Sequence, residues 1–84
     1  MMYHAILTKR AEKALERLPK KDRQRVSYTI TALEADPFRG RQLHGDLEGR
    51  WSVRVWPYRI VYTIEKEILT VTIVKIGHRK DVYR

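Results

Sequence analysis

The sequence predicts an α+β fold: a short strand, two helices, then three strands joined by tight turns into an antiparallel meander, with both helices packed on one face of the sheet. Three observations carry this. Apolar residues recur at helical spacing through residues 11–33, and from Trp51 onward they alternate with period two. Between the two regimes lies PFRGRQLHGDLEGR, residues 37–50, whose proline and three glycines show no sustained period.

The elements follow in order. Tyr3 to Leu7 reads as the first strand, and Thr8 is placed to cap the helix after it. Ala11, Ala14, Leu15 and Leu18 fall at i, i+3, i+4 and i+7, one buried helical stripe. Pro19 interrupts this helix, and either Pro19 at a first helical position or Asp22 as a cap opens the next. Val26, Ile30 and Leu33 repeat the helical spacing, with Lys21, Arg23, Arg25 and Glu34 on the other side. Asp36-Pro37 ends the helix, because a proline disfavours helical backbone in the residue before it. Leu43 and Leu47 are placed to pin the connecting loop to the core.

In the meander, Trp51, Val53 and Val55 point one way while Ser52, Arg54 and Trp56 point the other. Pro57-Tyr58 marks a turn, and Tyr58, Ile60, Tyr62 and Ile64 then alternate with Arg59, Val61, Thr63 and Glu65. After a turn at Glu65-Lys66-Glu67, ILTVTIVKIG at 68–77 is β-branched on both faces, as suits a central strand. Short turns force antiparallel neighbours.

The 84 residues are read as one domain, 1–84, with no repeat or linker. Without cysteines, disulfides and thiolate metal sites are excluded, and a small unstapled domain suits a reducing cytoplasm. No run nears the roughly 18 apolar residues of a membrane span, and MMYHAILTKR lacks a signal peptide's apolar stretch, so the expected location is cytoplasmic with no membrane partner. The 18 Lys and Arg against 10 Asp and Glu give a net charge of +8, which suits a polyanionic partner, nucleic acid first.

Alternation puts Arg54 and Arg59 side by side, opposite the helices. The last strand delivers Lys75, then His78, Arg79 and Lys80 as it leaves the sheet, with Tyr83 and Arg84 beyond. Converging guanidiniums suit bidentate grip on phosphates, and Trp56 and Tyr83 suit stacking on unpaired bases. These residues, Arg54, Arg59, His78, Arg79 and Tyr83 with Arg50, Trp56, Lys75, Lys80 and Arg84 around them, form a candidate surface for phosphates and unpaired bases, that is, for RNA. Arg54 and Arg59 read equally as solvated cross-strand charges paired with Glu65 or Glu67, and Tyr58 and Tyr62 as core residues with satisfied hydroxyls. His4, His44 and His78 lack ligand spacing, so no metal and no cofactor is expected. Ser52 has no histidine and carboxylate partnership of the hydrolase kind.

The joint pattern W-x-V-R-V, Y-R-I-V-Y and G-H-R-x-x-V-Y, with this order of elements, resembles the RelE/ParE superfamily of toxins from toxin–antitoxin pairs over essentially the whole chain. Within it, the arginines of YR and GHR look like the RelE branch. The resemblance implies a ribosome-dependent endoribonuclease that cleaves translated messenger RNA, with the RNA's 2′-hydroxyl attacking the adjacent phosphate to leave a 2′,3′-cyclic phosphate and a 5′-hydroxyl. It implies that Arg59 contacts the scissile phosphate, that Arg79 neutralises transition-state charge and that Tyr83 is the C-terminal tyrosine of the site. Arg54 falls where the branch has a lysine, and Ser52 replaces the lysine two positions earlier, which leaves the general base open. With His78 as the side chain near the site suited to proton transfer, as base or acid, the resemblance makes Arg54, Arg59, His78, Arg79 and Tyr83 the candidate catalytic set. Implied partners are a cognate antitoxin, the ribosome with messenger RNA in its decoding site, and operator DNA only through the antitoxin. The alternatives are a non-enzymatic gyrase inhibitor of the ParE branch and a catalytically silent RNA- or antitoxin-binding module.

Overall fold

A computed structural model describes residues 2–78. Its strands are β1 (His4–Leu7), β2 (Arg41–Gln42), β3 (Trp51–Val55), β4 (Tyr58–Glu65) and β5 (Thr70–His78), and its helices are α1 (Lys9–Glu16) and α2 (Lys20–Ala35). The five strands form one sheet in the order β1-β5-β4-β3-β2. β3, β4 and β5 are the expected antiparallel meander, whereas β1 joins the far edge of β5 in parallel, so the sheet is mixed. The two helices between β1 and the meander supply the crossover that a parallel neighbour requires.

Local chemistry sets the helix ends. The Thr8 hydroxyl accepts the Ala11 N–H at 3.1 Å and caps α1. Pro19 occupies the position before α2 without a side-chain bond, and Asp22 lies in the first turn. α2 stops at Ala35, and the Asp36 carboxylate instead accepts the Phe38 N–H, opening a short 3-10 turn over Pro37–Arg39. Glu34 does more than decorate a surface. Its carboxylate accepts the Ala5 N–H at 2.9 Å and its carbonyl accepts the Tyr3 N–H, so α2 satisfies part of the outer edge of β1.

The core lies between the helices and one sheet face. Val26, Ile30 and Leu33 of α2 and Ala11 of α1 are buried against Val55, Ile60, Tyr62, Val71, Ile73 and Ile76. The register of β3 and β4 follows the period-two reading, with Val53 paired to Ile60 and Trp51 to Tyr62, but burial does not alternate with it, because Ser52 and Val61 on the reverse face are also buried. One boundary and one register differ from expectation. The last strand begins at Thr70 rather than Ile68, since Lys66–Ile68 form a 3-10 turn and Leu69 adopts a left-handed φ of 48°. The register of β5 also skips Val74: Val61 faces Lys75 but Tyr62 faces Ile73, and the Val74 carbonyl accepts the Thr8 hydroxyl at 3.2 Å.

Residues 37–50 cross the sheet as a pinned loop. The Tyr62 hydroxyl, fully buried, donates to the Pro37 carbonyl at 2.7 Å, and Phe38 meets Tyr3 and Trp51 edge-on at 6.3 and 5.6 Å. β2 then pairs with β3, and the Leu43 N–H donates to the Arg50 carbonyl. No helix among the described residues is long and apolar enough to cross a membrane.

Candidate functional site

Pleating places two rows of side chains on the sheet face away from the helices. One row is Arg54, Arg59 and Gly77, in register across β3, β4 and β5. The next is Arg41, Ser52, Val61 and Lys75, across β2 to β5. Strands lie about 4.8 Å apart, so the second row spans about 14 Å from one cation to the other. Arg54 and Arg59 face each other directly, and like charges in that position destabilise a sheet. Such a pair is suited to a shared anion. Gly77, across from Arg59, adds no side chain to the row.

Loop 37–50 completes the face. A shallow cavity of about 340 Å³ is bordered by Arg39, Arg41, Ser52, Arg54 and Arg59. A second, of about 280 Å³, is bordered by Arg41, Leu43, His44, Leu47 and Arg59. Ser52 is 2% exposed, so the residue standing where the resemblance expects a lysine is buried, and its register partner Arg41 brings a cation to the same row. Arg41 and His44 are site-side residues that pattern reading did not single out. They come from a loop without period, and a two-residue strand leaves no alternation to detect.

The sequence-predicted residues divide. Arg54, Arg59 and Lys75 share the open face. His78 does not join them. It faces Tyr58 on the helix-facing side, with the two rings edge-on at 6.4 Å, because residue 78 has the opposite parity to Gly77 and Arg59. It borders a cavity of about 550 Å³ with Arg10, Lys13 and Arg17 of α1, and Lys75 and Gly77 line the same cavity. Trp56 sits in the β3–β4 turn, 55% exposed, and faces α2 rather than the centre of the arginine face. Arg50 is exposed just before β3. Arg79, Lys80, Tyr83 and Arg84 lie outside the described residues.

Two tyrosines are held neutral by their surroundings. Burial pushes the Tyr62 hydroxyl up to about 12. Tyr58 is raised from 10.0 first by donating to the Asp22 carboxylate at 2.8 Å and then by burial, which ties β4 to the first turn of α2. Neither is arranged as an acid near neutrality. Among the described residues no group of three or more His, Asp or Glu is placed to hold a metal ion.

Two helices cover one face of a small mixed sheet, and arginines cluster on the other. A family profile described as the ParE toxin of type II toxin–antitoxin systems matches residues 5–83, and the chain belongs to this family, within the RelE/ParE superfamily that its motifs resemble. It is 35% identical to the toxin RelG of Mycobacterium tuberculosis over 86 residues, covering 100% of this chain and 99% of RelG. It is 38% identical to toxin RelE of the same organism over 84 residues, covering 98% and 87%. In the crystal structure of the RelBE2 toxin–antitoxin complex from M. tuberculosis, one chain superposes with a TM-score of 0.87 at 32% identity, covering 94% of this chain and 100% of that one. The archaeal RelE–RelB complex from Pyrococcus horikoshii gives 0.79 at 26% identity, covering 98% and 100%.

Proposed function

We propose that this toxin is a ribosome-dependent endoribonuclease that cuts translated messenger RNA through attack of the RNA's own 2′-hydroxyl. The observation that carries the reading is the facing pair Arg54 and Arg59, with Arg41 one row away, on a sheet face that the helices leave open. The reaction needs in-line geometry, stabilisation of extra charge on the phosphate, a proton acceptor and a proton donor. Arginine cannot exchange protons near neutrality, so Arg41, Arg54 and Arg59 act as phosphate clamps. By the resemblance, Arg79 adds charge at the transition state and Tyr83 contributes its hydroxyl or its ring.

For proton transfer the reading turns to His44. Imidazole is the side chain suited to this work near pH 7, and His44 borders a cavity with Arg41 and Arg59 whereas His78 stands on the other side of the sheet. A reaction partner that imposes alignment would offset a sparse acid–base set, which fits dependence on the ribosome. The expected protein partner is an antitoxin, since both solved relatives above are toxin–antitoxin complexes. A net charge of +8 asks such a partner for acidic residues.

The test is to map 5′ ends on messenger RNA in a translating mixture. Discrete new ends bearing 5′-hydroxyls, which need both ribosomes and the wild-type toxin, support the reading; intact message sinks it. His44→Gln should change the pH profile of cleavage and His78→Gln should not. A second reading, inhibition of DNA gyrase, is favoured by the ParE description of the matched family and by serine at position 52. Gyrase supercoiling assayed in parallel separates the two.

A further inference from the structure

Arg54 borders two cavities, and the second lies outside the site described so far. This groove, about 660 Å³, runs between α2 and the β3–β4 turn and is bordered by Lys21, Gln24, Arg25, Tyr28, Arg54 and Trp56. Its size is within the range of clefts that hold small ligands. The α2 residues fall at i, i+3, i+4 and i+7, on the side of the helix opposite Val26, Ile30 and Leu33, so core packing does not require them. Tyr28 is 78% exposed and Trp56 55% exposed, which is unusual for two large rings beside one groove.

The lining chemistry selects a ligand. Three cations, one amide and two accessible rings line the groove, and no carboxylate does. Asp22 is nearby, but Arg25 engages it at 3.5 Å on the surface and Tyr58 donates to it at 2.8 Å. An amphipathic peptide helix would need an aliphatic floor, and the aliphatic member of the lining, Val55, is 6% exposed. Flat rings alternating with cations match unpaired bases alternating with phosphates. The path is continuous as well: β2 pairs with β3 at Trp51 and Ser52, leaving the β3 edge beside Arg54 open between the arginine face and the groove.

We propose that this groove is a second subsite for single-stranded RNA, in which Trp56 and Tyr28 stack on bases and Lys21, Arg25 and Arg54 hold the intervening phosphates. The inference rests on the reading that the arginine face binds RNA, and extends it to the nucleotides flanking the cut. The probe is single-stranded RNA with 2′-O-methyl riboses, which has no 2′-hydroxyl to attack with, in lengths of about 4 and about 12 nucleotides. Trp56→Leu and Tyr28→Ala should each weaken binding of the longer RNA about 5- to 150-fold. Binding of the shorter RNA should depend on Arg59 and be little changed by either ring. Both positions are exposed, and circular dichroism with thermal melting checks folding. Lys21→Glu with Arg25→Glu is an independent variant that should reduce binding of the longer RNA and flatten its salt dependence. If the ring and charge variants bind both lengths within twofold of wild type while Arg59→Ala does not, the second subsite is overturned and the arginine face stands. If the ring variants lose the longer RNA while Arg59→Ala binds normally, the groove binds RNA by itself, and the proposal of a second subsite is overturned together with the arginine-face reading. Wild-type RNA binding by the ring variants, combined with lost affinity for an acidic peptide, would reassign the groove to a protein partner and overturn the proposal.

Discussion

Strand β4 carries two sequences interleaved. Tyr58, Ile60, Tyr62 and Ile64 face the helices, where Ile60 and Tyr62 are fully buried, while Arg59, Val61, Thr63 and Glu65 face the other way. On the first side, register brings apolar residues together, Val53 with Ile60 and Ile60 with Ile76. On the second, the same register brings Arg54 against Arg59, two like charges directly opposite each other. The helix-facing side is built around the core, whereas the reverse combines the buried Val61 and Ser52 with two arginines in register. That contrast, within one strand, is what makes the arginine side the candidate binding face.

The largest expected effects come from neighbours on opposite faces. Arg59→Ala should lower cleavage about 100- to 1000-fold, the usual cost of losing one preorganised charge-stabilising donor, while urea unfolding shows stability unchanged or raised. Ile60→Ala should do the reverse, costing about 2–5 kcal/mol of stability while the protein that remains folded still cleaves. A strongly destabilised Arg59→Ala protein would erase the contrast, since Arg59 would then be structural.

This division was legible in the sequence to the extent that period two persists. In β3 and β4 the spacing gives the core stripe and the Arg54–Arg59 pair, although it does not reveal that Ser52 and Val61 on the reverse face are buried too. β5 is β-branched on both sides, which hides the skipped register at Val74 and therefore which side each later residue takes. His78 groups with the arginines in the sequence because it follows Lys75 at the strand's exit, and the register instead sets it across from Tyr58. The parallel addition of β1 and the two-residue β2 are tertiary outcomes with little local pattern, and Arg41 and His44 went unread with them. Helix boundaries, by contrast, follow from Thr8, Pro19 and Asp36-Pro37, whose chemistry is local.

Intermediate effects should come from the loop that joins the two faces. A Cβ on Gly40 would meet the Tyr62 hydroxyl and lie 2.7 Å from the Ser52 carbonyl, both part of the packed sheet. Gly40→Ala should therefore cost about 1–3 kcal/mol and, by displacing Arg41, weaken RNA binding as well. Loss of stability with unchanged RNA affinity would show that Arg41 is not part of the binding face. Tyr62→Phe leaves the ring and removes the donor to Pro37, for about 1–3 kcal/mol. It also predicts a pH effect. The folded-state value of Tyr62, about 12, lies above its ordinary 10.0, so this contribution is whole below pH 10 and declines as pH rises from 10 towards 12. Comparing wild type with Tyr62→Phe over that window should show a steeper decline in wild type, and parallel curves would refute the assignment.

The smallest effect should be at Tyr58, where the helix-facing side meets solvent. Its hydroxyl donates to Asp22 at 2.8 Å, but Asp22 also meets Arg25 at 3.5 Å, so removing the hydroxyl leaves the carboxylate with a cationic neighbour and access to water. Tyr58→Phe should lower stability less than Tyr62→Phe does, even though both delete one phenolic hydroxyl from the same face of the same strand. The sign with pH is the same: a value raised by the bond to Asp22 gives stability that is present below pH 10 and lost above it. Cleavage should be unaffected, because Tyr58 shares a face with the core and not with Arg59. The comparison is sharpest in one urea series on the two variants. A Tyr58→Phe loss equal to or larger than that of Tyr62→Phe would mean that the bond between α2 and β4 holds the helix layer in place, and that core burial alone does not.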